Sequence, residues 1–330
     1  MRVLICSRKD FANVGYEMSQ ALRSIGVEAD SFCLSLHAMG YAKHSKVLPW
    51  RDIMRKAKDY DVIQFMHSGR DFLFRSKSNR GGLNGDDRLS KSVSDLNAMG
   101  KKLVVFHGGT IYRQCSGGVN KIVNPMISTS IIQTPDLLGL GAKNEVLIPA
   151  PIDMKAYRSF GKKEVNTNNL VFGHFPSNAA IKGTALIKRV MRDLQTSEGI
   201  GKFSLTTSSK VLRHNKNLAR VNTCDVYIEH QGFEQLGKQY GACGVAALEA
   251  AAMGKVVITS NMQEDVYKDM GMEFGFIASN SREELKSKVK YILGLNKKQI
   301  VRLQDRHRRW VGQNFSYNTV GNKLKNLYER

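Results

Sequence analysis

A chain of 330 residues exceeds what one ordinary hydrophobic core organises and suits two domains of roughly 150 residues each. An apolar fraction of 42% excludes disordered and collagen-like classes, and no run reaches the roughly 18 consecutive apolar residues of a membrane-spanning helix. Fifty Lys and Arg against 29 Asp and Glu leave a net charge of +21, a field that gathers anions such as nucleic acid, phospholipid headgroups or charged glycans.

The opening MRVLICSRKD is a short apolar run followed at once by charge, which reads as a buried strand and not as a signal peptide. A cytoplasmic protein is expected. Further strand-like runs are Asp61–Phe65, Lys102–Phe106, Ser130–Thr134 and Val146–Ile148, with a helix over Tyr16–Ile25 stopped by Gly26. After Pro149, Pro151 and Asp153 the pattern breaks, and residues 154–169 read as a polar linker. A second series follows: strands near Leu170–Gly173, Phe203–Thr206, Asp225–Glu229, Val256–Ser260 and Phe276–Ala278, and helices over Thr184–Leu194 and Ala246–Met253. A long basic helical region, Arg282–Arg330, closes the chain.

Short apolar strands separated by helices imply parallel sheets with the chemistry at their carboxyl ends. The expected class is α/β, with two Rossmann-like doubly wound domains facing across a cleft: residues 1–153, the linker 154–169, residues 170–312, and a C-terminal helix 313–330 returning to the first domain. The loop after the first strand, SRKDFANVGYE, lacks G-x-G-x-x-G, which argues against a dinucleotide-binding enzyme. Cys6, Cys33, Cys115, Cys224 and Cys243 are odd in number and form no C-x-x-C pair, which argues against a disulfide framework and a zinc site. Cys6, Cys224 and Cys243 read as structural. No Asp-x-Asp or histidine cluster suggests a metal, and no G-x-S-x-G suggests a hydrolase.

The segment YGACGVAALEAAAMGKVVITS, residues 240–260, carries the clearest chemistry. Gly241 and Gly244 bracket a turn before an Ala-rich helix, so the amides of Gly241, Ala242, Cys243, Gly244 and Val245 are expected to hold phosphate. Glu249, further along that helix, suits the vicinal hydroxyls of a ribose. This stretch resembles the donor signature of family 4 retaining glycosyltransferases of the GT-B architecture: Glu, seven residues, Glu, then Ala and Met–Gly. Glu249 matches the second Glu, and the first falls on Gly241.

Residues 171–190, VFGHFPSNAAIKGTALIKRV, resemble the opening of the family's donor domain, which implies that Lys182, followed by Gly183, neutralises the donor diphosphate in place of a metal ion. Ser177 lies in the loop where relatives carry an Arg, and His174 is its candidate substitute. VVFHGGTIYR, residues 104–113, makes His107 the candidate active-site histidine and brings in Arg113. Glu229 and Gln231, after a strand, are candidates for sugar hydroxyls. The acceptor is expected on the first domain, at Asn13, Gly15 and Tyr16 and along residues 70–88, where Arg70, Arg75, Lys77 and Arg80 interleave with Phe72 and Phe74.

The resemblance implies sugar transfer from a nucleotide diphosphate sugar as co-substrate, with retention, no cofactor and no bound metal. The acceptor expected is anionic. An envelope glycolipid or polysaccharide is slightly preferred, with the protein peripheral on the inner membrane face, and a phage-type enzyme glycosylating hydroxymethylated pyrimidines of DNA is the alternative. A non-hydrolysing sugar-nucleotide epimerase and an inactive nucleic-acid-binding relative are the remaining readings.

Overall fold

The computed structural model describes residues 1–67, 87–160, 164–196, 199–201, 203–232, 234–235, 238–239, 243–261, 264–269 and 272–330. The chain divides into two compact units, one of Met1–Pro151 with Phe315–Arg330 and one of Ile152–Asn314.

The first unit is built on seven parallel strands: β1 (Arg2–Lys9), β2 (Glu28–Ser35), β3 (Lys46–Val47), β4 (Val62–Phe65), β5 (Lys102–His107), β6 (Thr129–Ile132) and β7 (Glu145–Leu147). Their order, β3-β2-β1-β4-β5-β6-β7, is the Rossmann order with one extra edge strand. The central strands are covered on both faces, so they are continuous apolar runs: Val3, Leu4, Ile5 and Cys6 are at most 1% exposed. Strand β2 was not legible in the sequence, because Asp30 and Ser31 interrupt its apolar pattern. Asp30 is engaged by the Tyr60 hydroxyl and Arg23, both at 2.6 Å. Helices α1 (Val14–Ser24), α2 (Trp50–Ala57), α3 (Asp87–Ala98) and α4 (Gly109–Val123) connect the strands.

The second unit holds a five-stranded parallel sheet of β8 (Leu170–His174), β9 (Phe203–Thr207), β10 (Val226–Ile228), β13 (Val256–Thr259) and β14 (Ile277–Ala278), in the order β14-β13-β10-β8-β9. The short antiparallel pair β11 (Glu234–Gln235) and β12 (Lys238–Gln239) stands apart from it. Its helices are α5 (Thr184–Thr196), α6 (His214–Asn222), α7 (Val245–Ala252), α8 (Glu264–Asp269), α9 (Arg282–Leu293) and α10 (Lys297–Phe315). Helix α7 ends where Gly254 takes φ +78 and the Lys255 amide reaches back to the Ala250 carbonyl at 3.0 Å, a turn that a side chain would strain. Within the stretch read as a linker, Tyr157 and Val165 are buried, Val165 in the core of this unit and Tyr157 with its hydroxyl on Glu249. The basic helical region at the end of the chain is divided into three helices.

The last of these, α11 (Tyr317–Glu329), packs on α1 in the first unit. Its carbonyl end is held by Lys102, whose ammonium donates to the Leu327 and Tyr328 carbonyls at 3.1 Å. Gly321 allows the close approach: a Cβ there would lie 2.5 Å from the Ala21 carbonyl oxygen. Backbone on both sides leaves nothing flexible to yield. Gly321→Ala is therefore expected to cost the first unit about 2 kcal/mol through overpacking, read as a lower urea midpoint at unchanged slope. Among the described residues, no helix is long and apolar enough to cross a membrane.

Candidate functional site

In doubly wound sheets, ligands bind beyond the carboxyl ends of the strands where the strand order reverses. In the second unit that switch lies between β8 and β10, since β8 pairs with β9 on one side and β10 on the other. The loops leaving these two strands carry Lys182 and Glu229–Gly232, and their backbones touch. The Gln231 amide donates to the Lys182 carbonyl at 3.1 Å. Gly183 has φ +70, and a Cβ on it would sit 2.5 Å from the Gln231 carbonyl group. Only glycine fits there.

This contact brings the Lys182 ammonium onto Glu229 Oε1, and Gly244, at the N-cap of α7, closes over both. A Cβ on Gly244 would clash with that Glu229 oxygen and lie 3.4 Å from the Lys182 ammonium. Burial pushes the Glu229 carboxyl upward, but the Lys182 charge, with His230, outweighs it and holds the pKa below the usual carboxylate range. The N-terminus of α7 carries no side-chain cap, so its first amides stand beside a fixed cation. Gly241 and Ala242 lie outside the described residues. Cys243 is 8% exposed, and burial raises its thiol, keeping it protonated.

Glu249, one turn further along α7, is 7% exposed. The Tyr157 hydroxyl donates to its Oε1 at 2.8 Å, and His214 Nε2 stands 2.7 Å from the same oxygen. Its Oε2 has no partner among the described residues. Gln231 is 1% exposed; its Oε1 accepts from the Ser279 hydroxyl at 3.2 Å, while its Nε2 has no partner among the described residues. A buried donor without an acceptor is rare and marks a place where a polar group is expected. Ser177 is exposed in the loop before Lys182, and Val245 is half-buried at the helix start.

Three residues named from the sequence are committed elsewhere. His174 is fully buried, Nδ1 lying 2.8 Å from the Ile228 carbonyl and Nε2 2.9 Å from Thr184 Oγ1. Desolvation lowers its pKa to about 4, so it is a neutral brace at the start of α5 and not a cation for phosphate. His107 is fully buried at the end of β5, stacked on Tyr112 with ring centroids 4.1 Å apart, and burial lowers its pKa to about 3. Arg113 is enclosed in an ion pair with Asp136, both side chains under 10% exposed.

The switch in the first unit falls between β1 and β4. Asp10 caps α1 there, its oxygens accepting from the Gly15 and Tyr16 amides at 2.8 and 2.7 Å and from the Ser45 hydroxyl at 3.0 Å. Desolvation raises its pKa to about 6. The Gly15 and Tyr16 amides are thus taken by Asp10, and the Asn13 side chain by Glu17 and the Lys43 carbonyl. What this loop exposes is Phe11, flanked edge-on by His37 and His67 with centroids at 5.1 Å. Arg70, Arg75, Lys77 and Arg80 lie outside the described residues. The sequence reading missed Asp10, Phe11, Tyr157 and His214. Asp10 was within reach, as a carboxylate five residues before a helix glycine; the others depend on contacts that the sequence does not display.

No protein-family model and no curated protein matches the chain. Solved structures do match it in shape. HepE of Anabaena, crystallised with UDP, superposes with a TM-score of 0.62 at 13% identity, covering 100% of both chains. AviGT4, described as a glycosyltransferase of avilamycin A biosynthesis, gives 0.59 at 14% identity over 100% of this chain and 98% of its own. Sucrose-phosphate synthase of Thermosynechococcus elongatus gives 0.55 at 11% identity, again over 100% and 98%. At such low identity the likeness establishes the fold: along its whole length the chain is built as these proteins are, from two Rossmann-like α/β units.

Proposed function

We propose that the protein transfers a sugar from a nucleoside diphosphate sugar to an acceptor hydroxyl, with retention of configuration and without a bound metal ion. The observation that carries the reading is the convergence of Lys182, Glu229, Gln231 and the uncapped start of α7 at the switch point of the second unit. The HepE structures hold UDP, UDP with glucose, or UDP-glucose, which supports the same ligand class here.

Negative charge builds on the departing diphosphate as the anomeric bond breaks. Lys182 and the amides of Gly244 and Val245 meet that charge, and preorganised electrostatics of this kind is usually the largest catalytic contribution. An ammonium has three donors, so anchoring by one Glu229 oxygen is compatible with phosphate contact. Glu229 is then a positioning residue: it holds the cation against Gly244 and blocks its swing into solvent. Glu249 Oε2 takes a ribose hydroxyl, with Tyr157 and His214 fixing the carboxylate through Oε1. The Gln231 Nε2 donor takes a hydroxyl of the sugar. The acceptor hydroxyl attacks the anomeric carbon from the leaving-group side and gives its proton to the departing phosphate oxygen.

The acceptor is anionic. Of the two classes compatible with a charge of +21, an envelope glycan or lipid and hydroxymethylated DNA, we take DNA, a reading supported by the basic helix α10, which exposes no large apolar side chain with which to enter a membrane surface.

Calorimetric titration with UDP and other nucleoside diphosphates in EDTA tests the donor site. Binding is expected without divalent ions, and Lys182→Ala and Glu249→Ala are each expected to weaken it at least tenfold. Unchanged binding in both variants, or binding that requires a cation, refutes the assignment.

A further inference from the structure

Helix α10 carries a cluster of cations that the donor site does not use. Lys298, Arg302, Arg306 and Arg309 occupy positions i, i+4, i+8 and i+11, which fall on one face of a helix, and all four are exposed. A rise of 1.5 Å per residue sets them in a row about 16 Å long. None has an acidic partner among the described residues; the ion pair at this end of the helix uses Lys297 and Glu164. The row is also rigid. On the opposite face Ile300, Val311 and Phe315 are at most 3% exposed, and buried His307 accepts the Val257 amide at 2.9 Å on Nδ1, which fixes the rotation of the helix against β13.

Near its C-terminal end the row borders a cavity of about 300 Å³ whose lining includes Arg306, Arg309, Trp310, Phe274 and Glu273. The Trp310 ring lies against Gly275, where any Cβ would overlap it, and its Nε1 donates to the Glu273 carbonyl at 2.8 Å. Gly275 precedes β14, and β14 runs parallel to β13, so this surface lies at the amino ends of the strands. Lys182, Glu229 and Gly244 lie at the carboxyl ends. The two sites are on opposite edges of one sheet.

We propose that this face of α10 docks the phosphodiester backbone of nucleic acid. Duplex DNA carries one negative charge per about 1.7 Å of axis with both strands counted, so a row of about 16 Å spans a stretch bearing on the order of ten phosphates, of which one side faces the helix. Three of the four cations are arginines, whose forked donors suit phosphate oxygens. Asp305 and Glu273 are the acids beside the row, and they leave it net positive. A membrane-surface helix would present Trp, Phe or Leu outward; here Trp310 is 8% exposed and the helix's other large apolar residues face the core. The proposal deepens the DNA reading of the acceptor, yet docking needs no sugar, so the two can fail separately.

Fluorescence anisotropy of a labelled short duplex, measured on the intact protein across a salt series and without nucleotide, tests it. The triple variant Arg302→Gln/Arg306→Gln/Arg309→Gln is expected to flatten the log–log salt slope by about three. A matched variant of exposed α2 cations and their neighbour, Arg51→Gln/Lys56→Gln/Lys58→Gln, removes the same charge and is expected to keep the wild-type slope. UDP binding in both variants reports that the fold and donor site are intact. Equal losses in the two variants would reduce the effect to net charge and overturn the proposal. So would an unchanged slope in the α10 variant, or binding to phosphatidylglycerol-rich vesicles in place of DNA.

Discussion

Acidifying the protein from pH 7 to pH 5 is expected to cost the second unit about 4 kcal/mol of stability, a large share of the roughly 5–15 kcal/mol that folded domains hold. The cause is a pair of buried, neutral histidines. Desolvation lowers His174 to about 4 and His307 to about 3, and His307 Nδ1 must stay unprotonated to accept the Val257 amide. The unfolded chain takes up protons near pH 6.5 while the folded unit does not. The stabilisation from each histidine is therefore complete above pH 6.5 and falls by about 1.4 kcal/mol per pH unit until the folded pKa is reached.

In the first unit His107 and His67, which burial lowers to about 3 and about 4, bring the same kind of loss, and Asp10 offsets part of it. Its folded pKa of about 6 lies above the ordinary carboxylate value, so protonation in the folded state restores stability as the pH falls. The second unit should fail first. The protein's two tryptophans are Trp50 and Trp310, one in each unit, so urea titrations of Trp50→Phe report the second unit alone. A His307→Gln substitution should roughly halve the pH slope of that transition. A midpoint that stays level between pH 7 and pH 5 would contradict the assignment of buried neutral rings.

Lys182→Met is expected to cost about 3 kcal/mol at pH 7.5, because it strands the Glu229 carboxylate, whose side chain is 2% exposed, without its cation. In the wild type the Glu229 pKa is depressed, so its contribution is present above the ordinary glutamate pKa and is lost as pH falls through the folded value. In the variant the isolated carboxyl rises instead, and its cost disappears once it protonates. The gap between the two proteins should thus close toward acid pH. Lys182→Met/Glu229→Gln should recover most of the stability while leaving diphosphate binding abolished, which separates holding the fold from holding the ligand. Equal stability of Lys182→Met and wild type at pH 7.5, or failure of the second substitution to rescue, would show that the pair is not coupled in this way.

The fold was legible wherever burial on both faces of a parallel sheet forces an unbroken apolar run, as in Val3–Cys6 and Val256–Thr259, and wherever glycine punctuates a helix, as at Gly254. It was not legible in β2, whose Asp30 is matched by Arg23 of the preceding helix and by Tyr60, 30 residues on. The candidate-site residues on backbone features, Gly183, Gly244 and the start of α7, could be read from local spacing. Tyr157 could not: its reason for burial is a carboxylate 92 residues away. His107 shows the opposite limit, since a histidine ending a strand looks the same in sequence whether its ring opens to ligand or closes under an aromatic.

The polypeptide leaves the first unit at Pro151 and re-enters it at Phe315, so that unit is discontinuous while the second is a single stretch. During synthesis the second unit can complete itself on the ribosome, but the surface of α1 stays uncovered until α11 emerges. A nascent chain stalled or clipped just after Asn314 would therefore pair a finished second unit with a first unit lacking its final layer. Such fragments should be recognised by chaperones through the α1 surface around Ala21 and Ile25, which Gly321 of α11 approaches in the mature protein.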